Sequence, residues 1–98
     1  MKIYIAGPMT SYENHNCSAF NAVAKLMLSG GHVALNPAML PDGLSQREYM
    51  DIRLAMLRCA DAIYILHGWN ESEVAVAEHA KAKKLGIKIY YQFEGASA

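Results

Sequence analysis

The sequence predicts a single-domain α/β fold: a three-layer sandwich of Rossmann-like (flavodoxin-like) type, with a four-stranded parallel sheet of expected order 2-1-3-4 and three helices. Three observations predict it. Short β-rich apolar runs alternate with amphipathic helical stretches, giving β-α-β-α-β-α-β. Glycine and proline stand at the junctions, where turns need them. The connections are short, so successive strands run parallel through right-handed crossovers.

The first strand is Lys2–Ala6, stopped by Gly7-Pro8. After a polar stretch a helix is expected from about Ser18 to Ser29, with Phe20, Val23, Ala24 and Met27 at i, i+3, i+4 and i+7. Gly30-Gly31 ends it as a left-handed cap. His32–Asn36 is the second strand, closed by Pro37, and Pro41-Asp42-Gly43 carries good turn chemistry. Ser45 with Glu48 forms a capping box, so a second helix runs to about Arg58 with Tyr49, Ile52, Met56 and Cys59 on one face. The third strand is Ala62–Leu66, followed by a polar loop opening at His67-Gly68-Trp69 and a helix closed by Gly86. Ile87–Tyr91 is the fourth strand, and the tail from Glu94 to Ala98 is expected to fray.

Composition narrows the function. At 53% hydrophobic and 18% charged residues, the 98-residue chain has the make-up of an ordinary globular protein. Nine basic side chains balance nine acidic ones, so neither a nucleic-acid polymer nor an anionic membrane is the expected partner. No run approaches membrane-spanning length, and the start MKIYIAGPM is too short in its apolar part for a signal peptide. A cytoplasmic protein is expected, its Cys17 and Cys59 read as two buried thiols in a reducing compartment. Those cysteines and the four histidines show no metal-ligand spacing, so no metal is expected.

The order 2-1-3-4 places the ends of strands one and three side by side at the switch point, where open α/β sheets hold ligands. The Gly7-Pro8-Met9 turn then faces the His67–Ser72 loop across a crevice. No GxGxxG follows strand one, no GxxxxGK[ST] occurs, and Ser72 lies in no nucleophile elbow. Dinucleotide, P-loop and Ser-His-Asp chemistry are therefore disfavoured, and no cofactor is expected. Carboxylate chemistry remains, because a carboxylate can attack an anomeric carbon to form a glycosyl intermediate. On the third helix, Ala75 and Ala82 leave room for a ligand on the face of Glu78, but the residues alone favour a solvated helix glutamate pairing with Lys81.

Four motifs in order carry a family resemblance: IYIAGPM at Ile3–Met9, N-x-x-x-F-N at Asn16–Asn21, GHxxxNPA at Gly31–Ala38, and CADAIYIL…GW…S-x-x-A-x-x-E-x-A-x-A at Cys59–Ala82. Together they resemble the nucleoside 2-deoxyribosyltransferase-like proteins, in particular a short subgroup common in phages and prophages. The resemblance implies a glutamate that attacks C1′ of a deoxyribose, matched here by Glu78. It also implies a first-strand tyrosine that orients nucleophile or sugar, matched by Tyr4, which reads equally well as a strand aromatic with its ring in the core. Gly7, Pro8 and Met9 match a loop beneath the ligand, and Asn16 a polar group at the site edge. His67 and Gly68 stand in the site loop, where His67 reads as a loop histidine without catalytic duty ahead of a proton donor; Trp69 would either stack on a base or cover the core or an oligomer contact, and Ser72 would either bind phosphate or sugar or simply cap the helix. Asp61 reads as structural.

Two departures from that family stand out. Relatives usually carry an acidic residue aligned with Arg53, whereas the nearest carboxylate here is Asp51. Two residues on a helix is a rotation of about 200°, so Asp51 assists only if the helix aligns with slippage. Relatives also have Gly-Ala where this chain has Val74-Ala75, a side chain that narrows the mouth. The leading reading is a deoxyribosyltransferase or nucleotide N-hydrolase acting on 2′-deoxynucleosides or their 5′-monophosphates, with Glu78, Tyr4 and Asp51 as catalytic candidates. One alternative is a nucleotide-binding module with reduced chemistry; another is an oligomeric interaction protein. The resemblance also implies a homodimer or homotetramer.

Overall fold

The structure, a computed structural model, describes residues 1–9 and 13–92; the tail expected to fray lies outside them. Its regular elements are β1 (Lys2–Ala6), α1 (Cys17–Ser29), β2 (Val33–Leu35), α2 (Gln46–Arg58), β3 (Ala62–Ile65), α3 (Glu73–Leu85) and β4 (Lys88–Tyr91). The sheet is wholly parallel in the order β2-β1-β3-β4, as the alternation predicts.

The period-2 alternation of β1 divides the core. Ile3 and Ile5 point to one face, where they meet Phe20, Val23, Ala24 and Met27 of α1. Tyr4 and Ala6 point to the other, with Ile63 and Ile65 of β3, Leu57 of α2 and Ala82 of α3. One helix therefore covers one side of the sheet and two cover the other, completing the three layers. The α1 stripe is buried as its spacing requires.

The helix ends follow local chemistry. Ser45 and Glu48 form the reciprocal capping box that starts α2. Gly86 closes α3 with φ 72°. At the end of α1, Gly30 has φ −88° and the left-handed residue is Gly31, at φ 83°. Strand β2 is shorter than His32–Asn36 because His32 N–H bonds back to Met27 of α1, while the Asn36 side chain accepts from Ala38 N–H at 3.0 Å.

Two expectations are corrected. The inward face of α2 is not Tyr49-Ile52-Met56-Cys59: Ile52 and Cys59 are exposed, while Arg53 and Leu57 are buried with Met50 and Leu54 half-buried beside them. The true stripe is i, i+3, i+4, i+7 from Met50, and the arginine within it hides it from a hydrophobicity pattern. Nor are the cysteines two buried thiols. Cys59 is exposed as the C-cap of α2, and Cys17 is half-buried as the first residue of α1.

A buried arginine-glutamate-tyrosine cluster beside a cavity

Tyr4, Arg53 and Glu78 come from three elements and meet on the α2–α3 side of the sheet. The inward phase of β1 delivers Tyr4, and Glu78 lies on the α3 face whose neighbours Ala75 and Ala82 are fully buried. Those alanines let α3 approach the sheet closely. The Tyr4 hydroxyl donates a short hydrogen bond to Glu78 Oε2. Arg53 closes the cluster with two parallel bonds, Nε to Oε2 and Nη2 to Oε1, each 3.1 Å. Its Nε also lies 3.1 Å from the Tyr4 oxygen, and Nη1 reaches Met9 Sδ at 3.7 Å.

This is the planar fork that matches guanidinium to carboxylate, and it is out of water: Tyr4 and Glu78 are 0% exposed and Arg53 8%. Burial pushes the Glu78 carboxyl above the usual carboxylate range, opposed by the Arg53 charge and by the Tyr4 and Arg53 hydrogen bonds. Burial and the adjacent Glu78 charge push the Tyr4 hydroxyl well above the usual tyrosine value, so it stays protonated and donates. Both carboxylate oxygens are occupied. A ligand reaches Glu78 only if Arg53 moves aside.

Arg53 also forms part of the wall of a cavity of about 620 Å³ between the starts of α1 and α2, a size that suits a small-molecule ligand. α2 contributes Gln46, Tyr49, Met50 and Arg53, again i, i+3, i+4 and i+7. Met9 and Val74 complete the inner wall, so the valine that stands in place of glycine does face this space. Opposite α2 are Asn14, His15 and Cys17. Asn14, His15 and Asn16 hold three consecutive left-handed conformations, φ 51°, 54° and 61°. Such a run is costly for residues with a Cβ, and it is held here partly by Asn16 Nδ2 donating to Pro8 O at 2.9 Å.

The remaining sequence-derived candidates divide. Met9 lines the cavity, and Pro8 and Asn16 fix the turn beside it. Asp51 is exposed and lies off the α2 stripe that faces the cavity. Asp61 accepts from Lys2 N–H at 2.9 Å, at the far end of the strands. Ser72 accepts from Ala75 N–H at 3.2 Å and caps α3. His67 N–H donates to the Gln92 side chain at 3.0 Å, and Gly68 takes φ 86° to turn the chain into the α3 approach. Among the described residues, none from 67 to 72 lines the cavity. Gly7 approaches a side chain: a Cβ placed there would sit 2.7 Å from Leu66 Cβ. Gly7→Ala should therefore cost about 1–3 kcal/mol of stability by overpacking, read from denaturant midpoints; an unchanged midpoint would show that Leu66 yields freely.

Trp69 turns inward. Its ring lies 4.4 Å from that of His79, and His79 Nε2 is 2.6 Å from the Tyr91 hydroxyl. Sequence reasoning passed over His79, although it follows Glu78 and sits four residues before Lys83 on α3. Burial, and secondarily the Lys83 charge, lower its basicity. A base whose folded-state value is depressed destabilises the fold once protonation begins: stability is complete above about pH 6.5, the unfolded value, and declines as pH falls through the folded one. The wild-type protein should lose this increment on acidification, and His79→Phe should remove that part of the slope in pH-resolved denaturation.

The fold is a doubly wound α/β domain with a wholly parallel four-stranded sheet. The structure is similar to the 2-desoxiribosyltransferase from Leishmania mexicana, with TM-score 0.76 and 23% identity over 92% of this chain. The chain spans 62% of that protein. It is also similar to the 2-deoxyribosyltransferase from the psychrotolerant bacterium Bacillus psychrosaccharolyticus, with TM-score 0.74 and 18% identity, covering 93% of this chain and 71% of that one. At these identities the likeness is one of fold. No curated protein matches the sequence. Residues 1–91 match the family described as a domain of unknown function, DUF4406, and the chain belongs to it.

Proposed function

We propose that the protein binds a nucleoside-class small molecule in the cavity between α1 and α2, with Glu78 acting behind Arg53 as a fixed counter-charge. The nucleoside class comes from the named activity of the two structural neighbours. The observation that carries the binding role is the double duty of Arg53, which forms cavity wall and clamps both oxygens of Glu78. A nucleophile must touch the atom it attacks, and Glu78 is 0% exposed.

A second reading, cleavage of the N-glycosidic bond with Glu78 as nucleophile, has one specific observation in its favour: Tyr4 donates to the carboxylate, the pairing that the family resemblance implies. It requires Arg53 to leave. One experiment separates the two. 2′-Deoxynucleosides and their 5′-monophosphates are incubated with the protein, with and without an acceptor base, while melting shifts are recorded in parallel. Melting shifts without free base are expected. Free base that disappears in Glu78→Gln would overturn the binding role and establish cleavage.

A further inference from the structure

We infer that the end of the molecule opposite the cavity is a docking surface for an anionic lipid bilayer. The equal numbers of acidic and basic side chains hide a separation of charge between the two ends of the sheet. At the end where the strands begin, Lys2 and Lys88 open β1 and β4, in register with Val33 and Ala62. Arg58 closes α2, Lys83 and Lys84 stand in the last turn of α3, and Lys25 lies one turn from the end of α1. All six are exposed, and Asp61, paired with Lys2 at 3.7 Å, is the one carboxylate there among the described residues. Glu13, Asp42, Glu48, Asp51, Glu71 and Glu73 lie toward the other end, where the helices start. The molecule measures 34 × 27 × 26 Å, several times the screening length of about 8 Å at physiological salt. A partner at one end therefore meets that end's charge and not the balanced total.

Large apolar side chains share this end. Leu28, in the last turn of α1, is 64% exposed and Val33, at the start of the edge strand β2, 53%. Met1 and Leu85 are exposed with them; Met1 O accepts from Val33 N–H, and Leu85 is the last residue of α3. Cations complement the carboxyl ends of helices, which accounts for Arg58, Lys83 and Lys84. Lys2 and Lys88 are on strands, where no such dipole calls for them. Cationic side chains among exposed aliphatic ones suit a bilayer surface: the cations meet anionic headgroups while the aliphatic tips enter the boundary with the acyl chains. A nucleic acid would leave the aliphatic groups unused, and the exposed Tyr90 and Tyr91, which could stack on bases, lie toward the other end of β4. A second copy placed against this end by two-fold symmetry would set cation on cation. No helix among the described residues is long and apolar enough to cross a membrane, so the contact is peripheral.

The probes are vesicles of phosphatidylcholine alone and of phosphatidylcholine mixed with phosphatidylglycerol, read by co-sedimentation at low and moderate salt. Wild type should bind the anionic vesicles and not the neutral ones, and binding should fall as salt rises. Lys83→Gln/Lys84→Gln should weaken binding about 25-fold, or about fivefold for each lysine removed. Leu28→Ser should weaken it roughly fivefold with the salt dependence unchanged. All three side chains are exposed and far from the cavity, so unfolding midpoints and deoxynucleoside binding should stay at wild-type values. Wild type that leaves anionic vesicles unbound at low salt would overturn the proposal. Leu28→Ser binding as tightly as wild type would overturn it too, because charge alone would then explain the attraction. Binding to a DNA duplex or single strand at lower concentration than to anionic vesicles, read by fluorescence anisotropy, would assign this end to nucleic acid instead. Salt-sensitive self-association that the lysine substitutions abolish, without vesicle binding, would assign it to the acidic end of a second copy.

Discussion

Arg53→Met should lower the unfolding free energy by about 3–5 kcal/mol near neutral pH, the range seen when one partner of a buried ion pair is removed. Methionine fills much of the arginine stem's volume, so the loss is electrostatic more than a matter of packing. What remains is a carboxylate at 0% exposure with a single donor, Tyr4. The pH dependence fixes the cause. Burial already raises the Glu78 carboxyl above its usual value, and the opposing pull of Arg53 vanishes in the variant, so the folded-state value climbs further. A folded value above the unfolded one means that the native state holds the proton more tightly. Stability is then retained at low pH and lost as pH rises through the folded value, at about 1.4 kcal/mol for each unit of difference. The deficit of Arg53→Met against wild type should be smallest at acidic pH, below the usual carboxylate value, and should grow as pH rises to neutral. A deficit that stays constant across that interval would assign the loss to packing.

The layers, strand order and helix caps were legible because each rests on short-range rules: alternation in β1, the i, i+3, i+4, i+7 stripe of α1, and Ser45 with Glu48. Tyr4 and Glu78 stand out in the sequence, and the structure joins them by a hydrogen bond. Arg53 stands in the sequence only as a departure from a family pattern, and nothing local announces its pairing with Glu78. The pairing spans 25 residues and depends on how two helices rotate against one sheet, which no local period encodes. One signal was available. Met50, Leu54 and Leu57 make three-quarters of a helical stripe whose fourth position is Arg53, and an arginine on a buried face calls for a buried anion. The cavity wall at Asn14, His15 and Cys17 was equally hidden, because it depends on a left-handed run that residue types alone do not announce.

The double variant Arg53→Met/Glu78→Leu should recover most of the stability lost by Arg53→Met, ending within about 1–2 kcal/mol of wild type. Replacing a whole buried ion pair with apolar side chains removes the desolvation cost together with the attraction, and the two terms are of similar size. Tyr4 then loses its acceptor, a buried hydroxyl worth about 1–3 kcal/mol when unpaired, and this sets the residual deficit. Adding Tyr4→Phe should recover that part as well. The three sites are in direct contact, so their effects will be far from additive, and a coupling of several kcal/mol between Arg53 and Glu78 is the expected result of the cycle. The same protein then tests the site. If Glu78 serves only as counter-charge, the double variant folds and still binds deoxynucleosides. A folded double variant that binds none would show that the cluster itself contacts the ligand, and Glu78 would return as a group that touches the sugar.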